Sequence, residues 1–153
     1  EAEANGARRL GVRVAVMRLG VVLGRDGGAY PKMSGPFRMF LGGPIGMGRR
    51  WMSWVHVEDA ARLAAHLLDH KDAEGPFNGT APEPVSNAEF ARTLGSVLRR
   101  PALFPTPPFV LRLPYGASAS VILASQRVLP MRTQASGYAF KFPTLRAALE
   151  DLR

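Results

Sequence analysis

Few side chains in this sequence could carry acid–base or metal chemistry. The tyrosines are Tyr30, Tyr115 and Tyr138, and the histidines are His56, His66 and His70. A tyrosine that moves protons near neutral pH needs a nearby cation to lower its pKa, as a lysine one helical turn later would do. The residues four positions on are Ser34, Ala119 and Phe142, so no such dyad is present. His66 and His70 are spaced i, i+4 and share a helix face, as zinc ligands can. Leu67 follows His66 where a metalloprotease carries glutamate, and with no cysteine in the chain the simpler reading is a solvated surface pair. No serine sits in a G-x-S-x-G elbow, and no Gly-Lys-Ser/Thr forms a phosphate loop. Gly42 to Gly48 is glycine-rich, but its order is not the G-x-G-x-x-G that lets backbone approach a pyrophosphate, so it reads as a surface loop. Asn78-Gly79-Thr80 has the form of a glycosylation acceptor and reads as a strand end.

The elements that would hold these residues follow from periodicity. Glu1 to Leu10 reads as the end of a helix closed by Gly11. Val12 to Arg18 is a β-branched run suited to a parallel strand buried on both faces, continuing through Leu19 to Gly24. Asp26-Gly27-Gly28 is a turn, and Lys32 to Leu41 can form a short helix. Trp51 to Val57 reads as a strand running into a helix whose apolar stripe is Ala60, Leu63, Ala64, Leu67 and Leu68. Glu58 and Asp59 lie in its first turn, with Arg62 placed to pair with Glu58. Phe77 to Thr80 is a further short strand. Ser86-Asn87-Ala88-Glu89 has the form of a capping box, opening a helix with Phe90, Ala91, Leu94, Val97 and Leu98 on its buried face. Pro101 stops that helix, and prolines 101, 105, 107 and 108 form an extended connector. Beyond it come an apolar stretch from Phe109 to Leu113, a helix around Ser118 to Leu129, a strand at Tyr138 to Phe142 and a last helix from Thr144. The predicted class is α/β with a parallel sheet and a small, mostly helical tail, divided as residues 1–100 and 101–153.

Composition bounds the partners. The net charge of +8 raises nucleic acid as a ligand, but the arginines are spread along the chain rather than gathered beside aromatics, so nucleic acid is not expected. No run of apolar residues is long enough for a membrane helix, and no membrane partner is expected. The first residues, Glu1-Ala2-Glu3-Ala4-Asn5, lack the basic-then-apolar plan of a secretory signal, which makes cytoplasmic the default expectation.

Three blocks resemble one protein group. Arg18 to Gly24 with Asp26-Gly27-Gly28 is similar to the sixth-strand segment of extended short-chain dehydrogenases. Trp54-Val55-His56-Val57-Glu58-Asp59 resembles their later strand-to-helix signature. Phe77 to Phe90 resembles the uncharacterised nucleoside-diphosphate-sugar-epimerase-like subgroup, whose C-terminal domain of unknown function is resembled by Ser125 to Pro130 and Phe140 to Leu149. The resemblance implies a protein about twice this length. Its absent first half would carry the glycine fingerprint and any catalytic tyrosine and lysine, so NAD or NADP would serve the intact parent and no tight cofactor binding is expected here.

The resemblance also places Arg18, Gly20, Ser53, Trp54, His56 and Asn78 along the substrate side, and no catalytic or metal-binding residue is assigned. Each has a plain alternative. Arg18 can cap a strand end or take a phosphate or carboxylate; Trp54 can be core; His56 can cap a helix; Ser53 can be an ordinary strand residue. The expected function is a fragment of an NAD(P)-dependent epimerase or oxidoreductase, supplying cleft wall and cap for a small, nucleotide-sugar-like substrate and inactive alone. Its partner would be the missing N-terminal half or a second copy. The alternatives are a non-catalytic interaction module and, behind it, a charge-driven nucleic-acid binder.

Overall fold

The structure is a computed structural model that describes residues 1–102, 105 and 125–153. It is α/β with parallel strands. The elements are α1 (Ala2–Arg8), β1 (Ala15–Leu19), β2 (Val21–Leu23), α2 (Tyr30–Arg38), β3 (Trp51–Met52), β4 (Trp54–His56), α3 (Val57–Asp69), β5 (Gly75–Gly79), β6 (Val85–Ser86), α4 (Asn87–Leu98), α5 (Met131–Ala135) and α6 (Leu145–Leu152). β1 pairs in parallel with β5, β2 in parallel with β4, and β3 antiparallel with β6.

The apolar run read as one strand is two. It breaks at Gly20, whose N–H donates to the Gly79 carbonyl, while the next N–H, of Val21, donates to the Ser53 carbonyl. The chain thus changes partner from β5 to β4 within one residue. A Cβ at position 20 would sit 2.5 Å from the Ser53 carbonyl oxygen and 2.9 Å from Thr80 Cγ2, so the crossing needs glycine.

Two apolar clusters hold the layers. In the larger, Trp54 and Leu23 meet Phe37 of α2, Phe90 and Leu94 of α4, and Leu149 of α6. In the smaller, Leu63 and Leu67 of α3 pack on Phe77 and Tyr138. Each fully buried large side chain contributes about 1.5–3 kcal/mol over its exposed state. Leu68, assigned to the α3 stripe by spacing, is exposed at the helix end. Arg13 closes that end by donating to the carbonyls of Leu67, Leu68 and Ala73, satisfying acceptors that a helix terminus leaves bare. At α4 the serine of the predicted box caps as expected, Ser86 Oγ accepting from the Glu89 N–H at 3.2 Å.

Three local expectations are corrected. Residues 125–129 form no helix; the rest of the Ser118–Leu129 helix, and the Phe109–Leu113 stretch, lie outside the described residues. Tyr138 to Phe142 forms no strand, because the N–H groups of Lys141 and Phe142 donate to a carboxylate rather than to a ladder. Glu58 pairs with Lys141 at 2.8 Å, not with Arg62.

Candidate functional site

The parallel register sets Arg18 beside Asn78. Adjacent positions in paired strands share a face, and Met17 and Phe77 belong to the opposite, core-facing side. Arg18 is exposed and makes a bidentate pair with Glu1, Nε to Oε1 and Nη2 to Oε2, both at 2.7 Å. The guanidinium holds the Glu1 carboxyl below its ordinary pKa. This fork-on-carboxylate geometry shows that the Arg18 side chain reaches an anion from the end of β1.

Next to this pair, the strand change at Gly20 brings Ser53 and Thr80 together, and a short irregular segment lies on them. The Ser53 hydroxyl donates to the Gln126 carbonyl and accepts from the Val128 N–H, both at 2.9 Å. Thr80 Oγ1 donates to the Val128 carbonyl at 3.3 Å, and Asn78 Nδ2 to the Leu129 carbonyl at 3.1 Å. At the other end the Trp51 N–H donates to Ser125 Oγ at 3.1 Å. Side chains therefore do what a neighbouring strand's backbone would do. They fix residues 125–129 as a strap beside the strand switch. Ser53 and Asn78 thus contact protein in this structure, and the side chains of Gln126 and Arg127 on the strap are exposed.

Trp54 and His56 lie apart from this surface. Trp54 is fully buried, its indole N–H donating to the Glu83 carbonyl at 3.0 Å. His56 is 3% exposed, and its Nδ1 accepts from the Glu58 N–H at 3.2 Å, capping α3. An accepting Nδ1 places the proton of the neutral ring on Nε2. That atom is 3.3 Å from Asp151 Oδ2, within ion-pair reach but outside hydrogen-bond alignment. Burial lowers the His56 pKa, against the opposing pull of Asp151, Asp59 and Glu58.

Asp59 binds the tail. Its buried carboxylate accepts from the Lys141 and Phe142 N–H groups, each at 2.8 Å, and from the Tyr138 hydroxyl at 3.0 Å. The strand-to-helix signature from Trp54 to Asp59 is thus a socket for residues 138–142. Asp59, Thr80, Trp51 and Arg127 escaped the sequence reading. Asp59 looked like an ordinary first-turn acid, and nothing local shows that its partners lie about eighty positions on.

The described residues do not form a dinucleotide cradle. Gly42 and Gly48 are tight against the protein itself: a Cβ would meet the Phe37 ring at 2.3 Å in the first case and the Ala88 Cβ at 2.7 Å in the second. The Ile45 N–H donates to the Asn87 side chain, and the Gly48 carbonyl accepts from the Ala88 N–H, so the loop is docked on the start of α4. His66 and His70 stack with ring centroids 3.8 Å apart, and His66 Nε2 lies 3.0 Å from Ser136 Oγ. Among the described residues no group of three or more metal-ligating side chains converges, and no helix is long and apolar enough to cross a membrane.

Comparison with known proteins agrees with this architecture. Residues 106–152 match a family model described as a domain of unknown function, DUF1731. The mouse epimerase family protein SDR39U1 is 48% identical over 141 residues, covering 92% of this chain and 48% of the mouse protein. An epimerase family protein of Staphylococcus epidermidis is 42% identical over 149 residues, covering 97% of this chain and 50% of its own length. The crystal structure of human SDR39U1 with NADPH superposes with a TM-score of 0.85 at 45% identity, over 92% of this chain and 48% of the human one. An Arabidopsis thaliana relative is named as chloroplastic. The chain spans about half the length of these relatives. The parallel strands, the domain-of-unknown-function match near the end and the superposition together place it in the SDR39U1-like epimerase family, as the C-terminal half of that Rossmann-type fold.

Proposed function

We propose that this chain is the substrate-side half of an NAD(P)-dependent epimerase or oxidoreductase, contributing cleft wall and C-terminal cap and inactive without the cofactor-binding half. The observation that carries this reading is the outer edge of β1. The Gly75 N–H donates to the Val14 carbonyl and the Gly20 N–H to the Gly79 carbonyl, so backbone groups of even-numbered residues point toward β5. Alternation leaves those of Ala15, Met17 and Leu19 on the other edge, which no strand among the described residues pairs. A parallel strand from the N-terminal half fits that edge. It would bring the cofactor toward the end of β1, where Arg18 and Asn78 stand side by side.

The expected cofactor is NADP(H), by similarity to the human relative crystallised with NADPH. Its pyrophosphate would lie on the other half, since the described residues form no cradle for it, and the expected substrate is a small nucleotide-sugar-like molecule. The test is NADPH fluorescence titration of the 153-residue chain and of the same chain joined to the N-terminal half of a family member. Binding by the joined protein alone is expected; tight binding by the short chain would overturn the reading. A second reading, pairing of two copies through the same edge, is favoured by the exposure of Val12 and Leu19 beside it. Sedimentation of the short chain separates the two, a concentration-dependent dimer supporting self-pairing.

A further inference from the structure

We infer that a cavity beside the start of β5 is a binding site for a small zwitterion of the α-amino-acid class, with Arg132 taking its carboxylate and Asp72 its ammonium group. This site does not depend on the proposed function.

The cavity follows from the way α5 covers β5. The Gly75 N–H and the Gly79 carbonyl are used on the β1 side, so alternation turns the carbonyls of Pro76 and Asn78 the other way. Side chains of α5 meet them: Arg132 Nη1 donates to Pro76 at 3.4 Å and Thr133 Oγ1 to Asn78 at 2.8 Å. A helix cannot approach a strand edge as closely as another strand does, about 4.8 Å. Between α5 and the connection from α3 to β5 a cavity of about 330 Å³ remains, and small-molecule sites run from about 300 to 1,000 Å³. His66 Nε2 lies 3.0 Å from Ser136 Oγ, which ties α3 to the C-cap of α5 beside it. Because α5 lies on the side of β5 away from β1, joining a strand to the outer edge of β1 leaves the cavity open.

The apolar part of the lining is Ala73, Phe77 and Ala135, enough for a small aliphatic side chain. Arg132 and Asp72 then bring opposite charges to the same cavity without pairing. Among the described residues neither forms an ion pair. The Arg132 guanidinium carbon lies 4.5 Å from the Phe77 ring centroid, and beyond the bond to Pro76 its N–H groups meet no acceptor among the described residues. A ligand with one charge would satisfy one of these two groups and be repelled by the other; a zwitterion meets both.

The surroundings favour each half of the match. Arg8 Nη2 and Arg132 Nη1 lie 3.4 and 3.0 Å from the point a Cβ on Gly75 would occupy, so a second cation stands beside the one that takes the carboxylate. His70 also lines the cavity, and its Nδ1 lies 2.9 Å from the His66 carbonyl, which can only accept. The neutral ring is therefore bare at Nε2, an acceptor for an ammonium N–H next to Asp72. The other charges of the connection, Asp69, Lys71 and Glu74, do not line the cavity.

The test is isothermal titration of the joined, full-length form and of the 153-residue chain with alanine, leucine and phenylalanine, and with N-acetylleucine and leucinamide, which each lack one of the two charges. At least one amino acid is expected to bind the joined form, and each blocked derivative to bind about tenfold more weakly than leucine. Arg132→Met, which keeps an apolar cover on Phe77, and Asp72→Asn should each weaken leucine binding about tenfold with the thermal melt of the parent. In Asp72→Asn the advantage of leucine over N-acetylleucine should vanish, a change that loss of structure would not produce. Arg146→Met, on α6, should bind as the parent does. N-acetylleucine binding the parent as tightly as leucine would mark a plain anion site and overturn the inference. No binding of any of the three amino acids by the joined form, or leucine affinity unchanged in both cavity variants, would overturn it as well.

Discussion

The Tyr138 hydroxyl lies 2.8 Å from the Asp59 carbonyl and 3.0 Å from its carboxylate, joining the first turn of α3 to a residue 79 positions away. Burial, and then the Asp59 charge, raise the tyrosine pKa, so the hydroxyl stays a donor throughout the accessible pH range. Removing the carboxylate leaves the Lys141 and Phe142 N–H groups without their acceptor, while the Tyr138 hydroxyl keeps the Asp59 backbone carbonyl. Asp59→Ala should lower stability by about 2–4 kcal/mol, and Tyr138→Phe by about 1 kcal/mol, measured by urea unfolding.

His56 gives a pH dependence. Its folded pKa is below the ordinary 6.5, burial being the largest cause. The unfolded chain therefore takes up the proton first as the pH falls. The His56 contribution is fully present above about 6.5 and declines as the pH drops through that value toward the folded pKa. His66, also lowered by burial and by His70, acts in the same direction. His56→Asn keeps an acceptor at the cap and removes the titration, so thermal melts of this variant between pH 7.5 and pH 5.5, about one unit either side of the ordinary value, should depend less on pH.

Gly20 offers a steric test. A methyl group there meets the Ser53 carbonyl at 2.5 Å, and backbone cannot step aside as a flexible side chain can. Gly20→Ala should cost about 2 kcal/mol or more by chemical denaturation and should loosen the β2–β4 pairing.

Ser53 controls the strap. Ser53→Ala removes a donor and an acceptor at once, leaving the Gln126 carbonyl and the Val128 N–H without them. The expected result is faster amide exchange at Val128 with little change at Leu94 in the core, and a stability loss of about 2 kcal/mol.

Local signals carried much of the fold. The β-branched run before Arg18, the Ser86 cap and the spacing of Leu145, Ala148, Leu149 and Leu152 each depend on neighbours within one or two turns, and each element is present. The site was harder to read, because its contacts are long-range. Ser53 and Asn78 are brought to the strap by a partner change at Gly20, and Asp59 by a tail whose backbone has no ladder of its own. Composition alone predicts a strand at Tyr138 to Phe142; a single buried carboxylate redirects its N–H groups.

The most direct test concerns the free edge of β1. Amide hydrogen exchange at Ala15 and Met17 should be rapid in the 153-residue chain and strongly slowed once the N-terminal half is joined, while Val16 and Arg18, whose amides face β5, change far less. Exchange at Ala15 and Met17 that stays rapid in the joined protein would contradict the view that this edge receives the other half of the sheet.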